Sequence, residues 1–331
     1  MTTTTGSASE LTRKEGSRRS LAALRPRRRP KRVDPDSVGD RGIVSEFDRR
    51  KGSTRVGMSA VHVFLLVGLV VAGLGPILWL AKAAVTPTQD TLRQPFALWP
   101  NGIDWENLST AWNDIHIDQY FFNTLVIAAG AWFFQLLVAT TAGYALSVLR
   151  PAYAKVLNGL VLATLFIPSV VLLVPLYLTI VNPPLFGRDF SLLNNYAAVW
   201  LPMAANAFNI LLVKRFFDGL PREVFEAART DGAGPFRLFW SVVLPMSKPI
   251  LGVVSVFAVI AAWKDYLWPM LVLPNPAVQP LSVRLPAVQS QTELDVFLAA
   301  LAIATIIPIA LFLVFQGVFL RSAGLGGAVK G

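Results

Sequence analysis

The sequence predicts an all-α, polytopic membrane protein with six transmembrane helices, and three observations predict it. Only 15% of its 331 residues are charged while 54% are hydrophobic, whereas a soluble domain carries about a quarter charged residues. Six apolar stretches, roughly 59–84, 120–148, 156–181, 195–217, 248–273 and 295–320, are long enough to cross a bilayer, which takes about 20 residues as a helix. The segments between them alternate in charge, and every second one is basic.

The first span begins too far from Met1 and runs too long for a cleaved signal peptide, so it reads as an uncleaved insertion signal. Each span must satisfy its own backbone inside lipid, which makes helices the expected form. Pro76, Pro168, Pro175 and Pro202 lie within these runs and predict kinks that neighbouring helices cover. Gly143, Gly159 and Gly252 are candidate points of close helix contact. Trp268 reads as an outer-interface anchor.

Orientation follows from Lys and Arg in the short loops. The turn after span 2 carries Arg150 and Lys155. The segment between spans 4 and 5 carries Lys214, Arg215, Arg222, Arg229, Arg237 and Lys248, and the C-terminus carries Arg321 and Lys330. The loops at 85–119, 182–194 and 274–294 contain only Arg93, Arg188 and Arg284. Both termini are therefore expected on the cytoplasmic side of the membrane.

Residues 1–58 hold 15 of the 30 Lys and Arg but only 7 of the 20 Asp and Glu, so this tail carries +8 of the net +10. Its basic residues sit among Pro, Ser and Thr beside an apolar span. That pattern predicts a disordered cytoplasmic tail touching anionic lipid, not a nucleic-acid partner. Residues 59–331 form the membrane domain. The chain has no cysteine and only His62 and His116 as histidines, which excludes disulfides, thiolate chemistry and a His-rich metal site.

About 30 residues between spans 4 and 5, within 218–247, are too long a connection to lack structure or purpose. They read as two short helices. Asp218 or Gly219 is positioned to cap the first, Pro221 suits an early helical position, and Gly232 suits a left-handed C′. A second helix begins at Pro235, and Phe236, Phe239 and Trp240 at i, i+3 and i+4 share one aromatic face. Leu244-Pro245 closes it. By itself this is an amphipathic pair at the membrane surface.

The series Glu226-Ala227-Ala228, three residues, Gly232, nine residues, Val242-x-Leu244-Pro245 resembles the EAA loop of ABC importer permeases, with Val242 where Ile is usual and Asp231 fitting the common form. The resemblance covers most of residues 60–331 and is nearest the sugar-importer branch. Asn123-Thr124, Ala142-Gly143-Tyr144-Ala145-Leu146, Ile167-Pro168, Pro175-Leu176-Tyr177, Arg215-Phe216-Phe217 and Pro221-Arg222-Glu223 fit that branch in order. Trp263-Lys264-Asp265-Tyr266 is similar to its W-N-D-F, with Lys for Asn, and the end from Gly324 to Lys330-Gly331 is similar to its Gly-rich terminus.

This resemblance implies a type I importer permease fold whose cytoplasmic coupling helices seat in a cleft of an ATP-hydrolysing subunit. Glu226 would meet a basic group there, Ala227 and Ala228 would keep the helix thin, and Phe236, Phe239 and Trp240 would anchor the loop. The implied partners are a second permease, two ATP-binding cassette subunits, an extracellular solute-binding protein and membrane lipid. No G-x-x-x-x-G-K-[ST] phosphate loop occurs, so ATP hydrolysis belongs to a partner; no catalytic residue, metal or cofactor is expected here. The branch favours a carbohydrate, with glycerol phosphates, polyamines and other solutes as alternatives.

Lys264 and Asp265 lie inside span 5, where ionisable groups face a cavity or a partner; a structural lock to neighbouring helices is favoured over solute contact. Asn206 and Asn209 in span 4 and Gln135 in span 2 read as helix-joining residues that could also meet a solute. The proline-rich loop 274–294 reads as a rigid element meeting the binding protein. A secondary transporter would show paired broken helices and midplane carboxylates, and a membrane enzyme a nucleophile with its base; Asp265 is the only acidic residue well inside a span.

Overall fold

The computed structural model describes residues 52–184 and 190–325. The expectations for the basic tail up to Lys51, for Arg188 and for the Lys330-Gly331 end lie outside these residues. Among the described residues every regular element is helical. The chain divides into two compact units, 1–66 and 67–331. The described part of the first is the N-terminal half of α1 (Gly52–Ala83), so helix begins seven residues before the expected boundary at 58/59. Within α1, Val56–Ala83 is apolar enough to span a membrane and none of its most apolar window is buried. Such a helix is unstable in water and at home in lipid.

In the second unit, α2 (Thr88–Arg93) and α3 (Glu106–Asn113) precede α4 (Ile117–Tyr144). A π turn, Ala145–Leu149, carries α4 on to Arg150, which ends it at φ 47°. α4 is the central helix. α7 (Ala197–Ala204), α8 (Ala207–Asp218) and α12 (Lys248–Lys264) pack along it, and α15 (Leu294–Leu325) packs on α12 and α3. α15 carries no charged residue between Asp295 and Arg321.

Close approach along α4 is set by small residues. A Cβ added to Gly143 would lie 3.0 Å from Val213 Cγ1 and 3.2 Å from the backbone nitrogen of Lys214 on α8. At Gly130, which the sequence pattern did not single out, it would fall 2.1 Å from the Trp200 ring on α7. Gly159, expected at a helix contact, faces open space; its helix presents no buried residue.

Three of the expected spans are broken. Span 3 is α5 (Ala154–Thr164) followed, after Pro168, by a 3-10 turn and α6 (Leu173–Val181), bent by 101°. Span 4 bends by 45° between α7 and α8. Pro202 stays inside α7, and the break falls at Ala205-Asn206, where Asn206 Oδ1 accepts the Asn209 N–H at 3.0 Å and opens α8. Span 5 stops at Lys264. Asp265 is extended and α13 (Leu267–Val272) restarts after Tyr266.

That restart overturns the interfacial placing of Trp268. Its ring is 7% exposed within a cluster containing Val199 and Ile180, and its Nε1–H donates to the Ala198 carbonyl at 2.9 Å.

Candidate functional site: the hairpin between spans 4 and 5

The hairpin is built from α9 (Arg222–Thr230) and α10 (Pro235–Leu238), which continues through a π turn, Phe239–Val243, into the short α11 (Leu244–Met246). Pro221 occupies the N-cap of α9; Asp218 does not cap it, being the last residue of α8. α9 ends as the sequence expects. Gly232 sits at φ +78°, the Gly232 N–H reaches the Arg229 carbonyl at 3.0 Å, and the Ala233 N–H reaches the Ala228 carbonyl at 2.9 Å. These are the two bonds of a Schellman motif, and the left-handed C′ position explains the glycine.

The loop presents one face and buries another. Glu226, Ala227, Asp231 and Gly232 are exposed, Ala228 is half-buried, and the Glu226 carboxylate has no ion pair among the described residues. Phe225 on the other side of α9 packs onto a core of Tyr144, Val213, Phe217 and Phe239. The expected common aromatic face is divided. Phe239 is buried with its ring 5.0 Å from Tyr144, while Phe236 and Trp240, rings 6.2 Å apart, point outward. Helical spacing accounts for the split, because residues four apart share a side while adjacent residues point about 100° apart. Leu244 is half-buried and Pro245 exposed; after them the chain bends by 80° into α12.

Two polar ties hold the hairpin to α4. The Tyr144 hydroxyl donates to the Pro235 carbonyl at 2.8 Å. Asp218 gathers three groups: Ser147 Oγ donates to Oδ1 at 2.7 Å, Lys214 Nζ to Oδ2 at 2.7 Å, and an Arg150 nitrogen stands 3.6 Å from Oδ1. Burial raises the Asp218 carboxyl pKa, but those hydrogen bonds and the Lys214 and Arg150 charges outweigh it and hold it below the usual range. A recess of about 220 Å³ lies between this cluster and α9, lined among others by Arg150, Asp218, Phe225, Glu226 and Arg229.

The residues considered for the pathway fall into two sets. Asn209 Nδ2 donates to Gln135 Oε1 at 2.8 Å, and Gln135 Nε2 donates to the Met203 carbonyl at 2.8 Å. With Asn206 capping α8, these groups join α4 to the two halves of span 4. Asp265 stands at the break in span 5, where Ser282 Oγ donates to its backbone carbonyl at 2.6 Å. It lines a recess of about 260 Å³ with Ser169, Pro202, Met203 and Trp268. Residues at or beside all three helix breaks therefore border one space. Lys264 differs from the expected helix lock: it is exposed and has no hydrogen bond or ion pair among the described residues.

Residues 135–323 match the family described as the binding-protein-dependent transport system inner membrane component. The chain belongs to that family. It is 30% identical to the probable ABC transporter permease protein YurM of Bacillus subtilis, over 91% of this chain and 97% of that one. It is 30% identical to the sn-glycerol-3-phosphate transport system permease protein UgpE of Yersinia enterocolitica, over 78% and 93%. The diacetylchitobiose uptake system permease protein NgcG of Streptomyces coelicolor is 28% identical, over 85% and 93%. Among solved structures, a chain of a bacterial ABC transporter involved in import of the acidic polysaccharide alginate superposes with a TM-score of 0.68, at 24% identity over 81% of this chain and 98% of that one.

The permease fold also explains residues whose part was not readable from the sequence. Asn123 and Thr124 are buried at the N-terminal end of α4. Asn123 Nδ2 donates to the Ala277 and Gln279 carbonyls at 2.9 and 3.0 Å, and its Oδ1 accepts from the Tyr196 hydroxyl at 2.7 Å. Thr124 Oγ1 accepts the Leu281 N–H at 2.8 Å. The pair thus fixes a 3-10 turn (Pro276–Val278) and the start of α14 (Leu281–Val288). The sequence separation, more than 150 residues, hides this role from local pattern reading.

Proposed function

We propose that this chain is the non-catalytic permease subunit of an ATP-driven, binding-protein-dependent importer, carrying a carbohydrate. It would pair with a second permease, two ATP-binding cassette subunits and an extracellular solute-binding protein, with the 218–247 hairpin on the cytoplasmic side. The observation that carries this reading is the construction of the hairpin. A Glu226-Ala227-Ala228 ridge, exposed at Glu226 and Ala227 and closed by a left-handed Gly232, is rooted through Phe239 and Val243 in the core beside α4. A ridge rooted in that way can transmit a displacement; a flexible loop cannot. The carbohydrate assignment follows the relatives: one is named for diacetylchitobiose uptake and a structural neighbour for alginate import.

The test is to replace Glu226 by Ala and Gly232 by Val in the assembled importer, measuring retention of the ATPase subunit and solute uptake. Both should fall, and the Gly232 change should do more, because it strains the turn by about 1–2 kcal/mol on top of any lost contact. Unchanged association and uptake in both variants would overturn the coupling assignment.

A second reading of the cargo has its own observation. An exposed, unpaired Lys264 inside span 5 stands where the related branch carries Asn, and it favours an anionic solute such as a glycerol phosphate, the cargo in the name of another relative. Uptake with the Lys264→Asn variant separates the two: loss only for an anionic solute supports the second reading, and equal uptake leaves the neutral sugar.

A further inference from the structure

A second recess opens beside the first, on the other side of the Asp218 cluster, where α4, α5 and α8 meet. Its volume is about 570 Å³ and its lining includes Arg150, Lys155, Asn158, Lys214 and Asp218. Small-molecule sites occupy about 300–1,000 Å³, so the space is large enough for a headgroup. Its charge is unbalanced. Asp218 has both oxygens occupied, by Ser147 and by Lys214. The Arg150 Nε–H donates to the Ser147 carbonyl at 2.6 Å, which fixes the guanidinium while half of the side chain stays exposed. Lys155 is exposed and has no ion pair among the described residues. Three cations against one carboxylate leave the recess strongly positive.

Two further features narrow what would neutralise it. The Asn158 Oδ1 atom is buried and lacks a hydrogen-bond partner, so the recess offers an acceptor for a hydroxyl as well as cations for an anion. The outer face of α5 is apolar and exposed beyond it, with Val156 67%, Leu160 60% and, just before the helix, Tyr153 65% exposed. A free soluble anion has no use for that surface; an acyl chain does.

We infer that this recess binds the headgroup of an anionic phospholipid, with the phosphate among Arg150, Lys155 and Lys214 and a headgroup hydroxyl at Asn158. Phosphatidylglycerol, which joins a phosphodiester to a glycerol carrying free hydroxyls, fits both sets of groups. The inference rests on the membrane placing of α4 and α5 and is independent of the coupling role of α9. Occupancy would brace the Lys214–Asp218–Arg150 cluster that ties α8 to the end of α4.

The experiment is native mass spectrometry of the full-length chain in detergent, titrated with phosphatidylglycerol or phosphatidylcholine, with thermal stability followed in parallel. Phosphatidylglycerol should bind more tightly than phosphatidylcholine. Lys155→Gln should weaken it roughly five-fold, the effect of one basic residue at an anionic surface, and Lys155→Arg should retain it. Lys248→Gln, a basic position outside the recess, serves as the control and should change nothing. Equal binding of the two lipids, or an equal loss in Lys155→Gln and Lys248→Gln, would overturn the site. Soluble glycerol phosphate stabilising the chain as well as the lipid would overturn the lipid assignment. Loss of lipid preference in the assembled importer would show that a protein partner fills the recess instead. Each variant is read only against its own unfolding temperature, and Lys155→Arg separates lost binding from lost folding.

Discussion

Replacing Gly130 by Ala tests the packing that holds span 2 against span 4. The added methyl would fall 2.1, 2.2 and 2.5 Å from three atoms of the Trp200 indole, against the roughly 3.5–4 Å at which carbon atoms rest in contact. An ångström or more must be found. The ring has little freedom to supply it, since Trp200 Nε1–H donates to the Ile127 carbonyl at 3.1 Å and the ring stacks on Phe134 at 5.9 Å. Either α4 and α7 separate or Trp200 leaves its place. Overpacking costs about 1–3 kcal/mol, and a lost hydrogen bond about 1 kcal/mol more, so Gly130→Ala should destabilise the permease by roughly 2–4 kcal/mol. Unfolding followed by tryptophan fluorescence in a denaturing detergent titration measures it. Trp200→Leu in the same background removes the obstacle, so the double variant should be more stable than the sum of the single losses. A Gly130→Ala protein as stable as the parent, or strictly additive effects, would refute the close contact.

Asp218→Asn should cost about 1 kcal/mol, because its partners are only partly shielded from water. With its carboxyl pKa held low, the contribution of Asp218 is complete above the unfolded value of about 3.9 and is lost as pH falls through the lower folded value. The difference between parent and variant should therefore be constant from neutral pH to about 4 and shrink below it, as acid unfolding midpoints would record. Asn123→Ala removes the groups that hold residues 276–281 and should raise amide hydrogen exchange there by at least ten-fold, while the C-terminal half of α4 stays protected. Gln135→Leu strands Asn209 Nδ2 and the Met203 carbonyl and should cost about 1 kcal/mol, a modest figure because polar pairs between membrane helices average about 0.6 kcal/mol. Gln135→Leu with Asn209→Leu should recover part of that loss, measured by the same detergent titration.

What was legible in the sequence is what local chemistry decides. Apolar length pointed to long helical segments, of which two are long and apolar enough to cross a membrane unbroken and three more only as bent pairs. Gly232, Pro235 and the Glu226-Ala227-Ala228 run outlined the hairpin, because caps and turns are set within a few residues. The breaks were half-legible. Pro168 marks one, but Pro202 sits within a helix while the chain parts at Asn206, whose side chain supplies the cap. At Asp265 the signal was an acidic residue in an apolar run, read as a lock between helices. The structure uses the residue differently: the broken turn is held at its backbone carbonyl by Ser282, 17 residues away. That difference alters the functional argument. An ionisable residue in an unbroken span must find a partner on another helix, whereas one at a break can be held by its own chain and still face an open space. Asp265 is of the second kind, and it borders the recess shared by the breaks in spans 3 and 4. Lys264, beside it, has no such support among the described residues. An unpaired ammonium facing lipid inside a span would cost about 2.5–3.5 kcal/mol or more, so lipid is an unfavourable neighbour for the face of span 5 that carries Lys264.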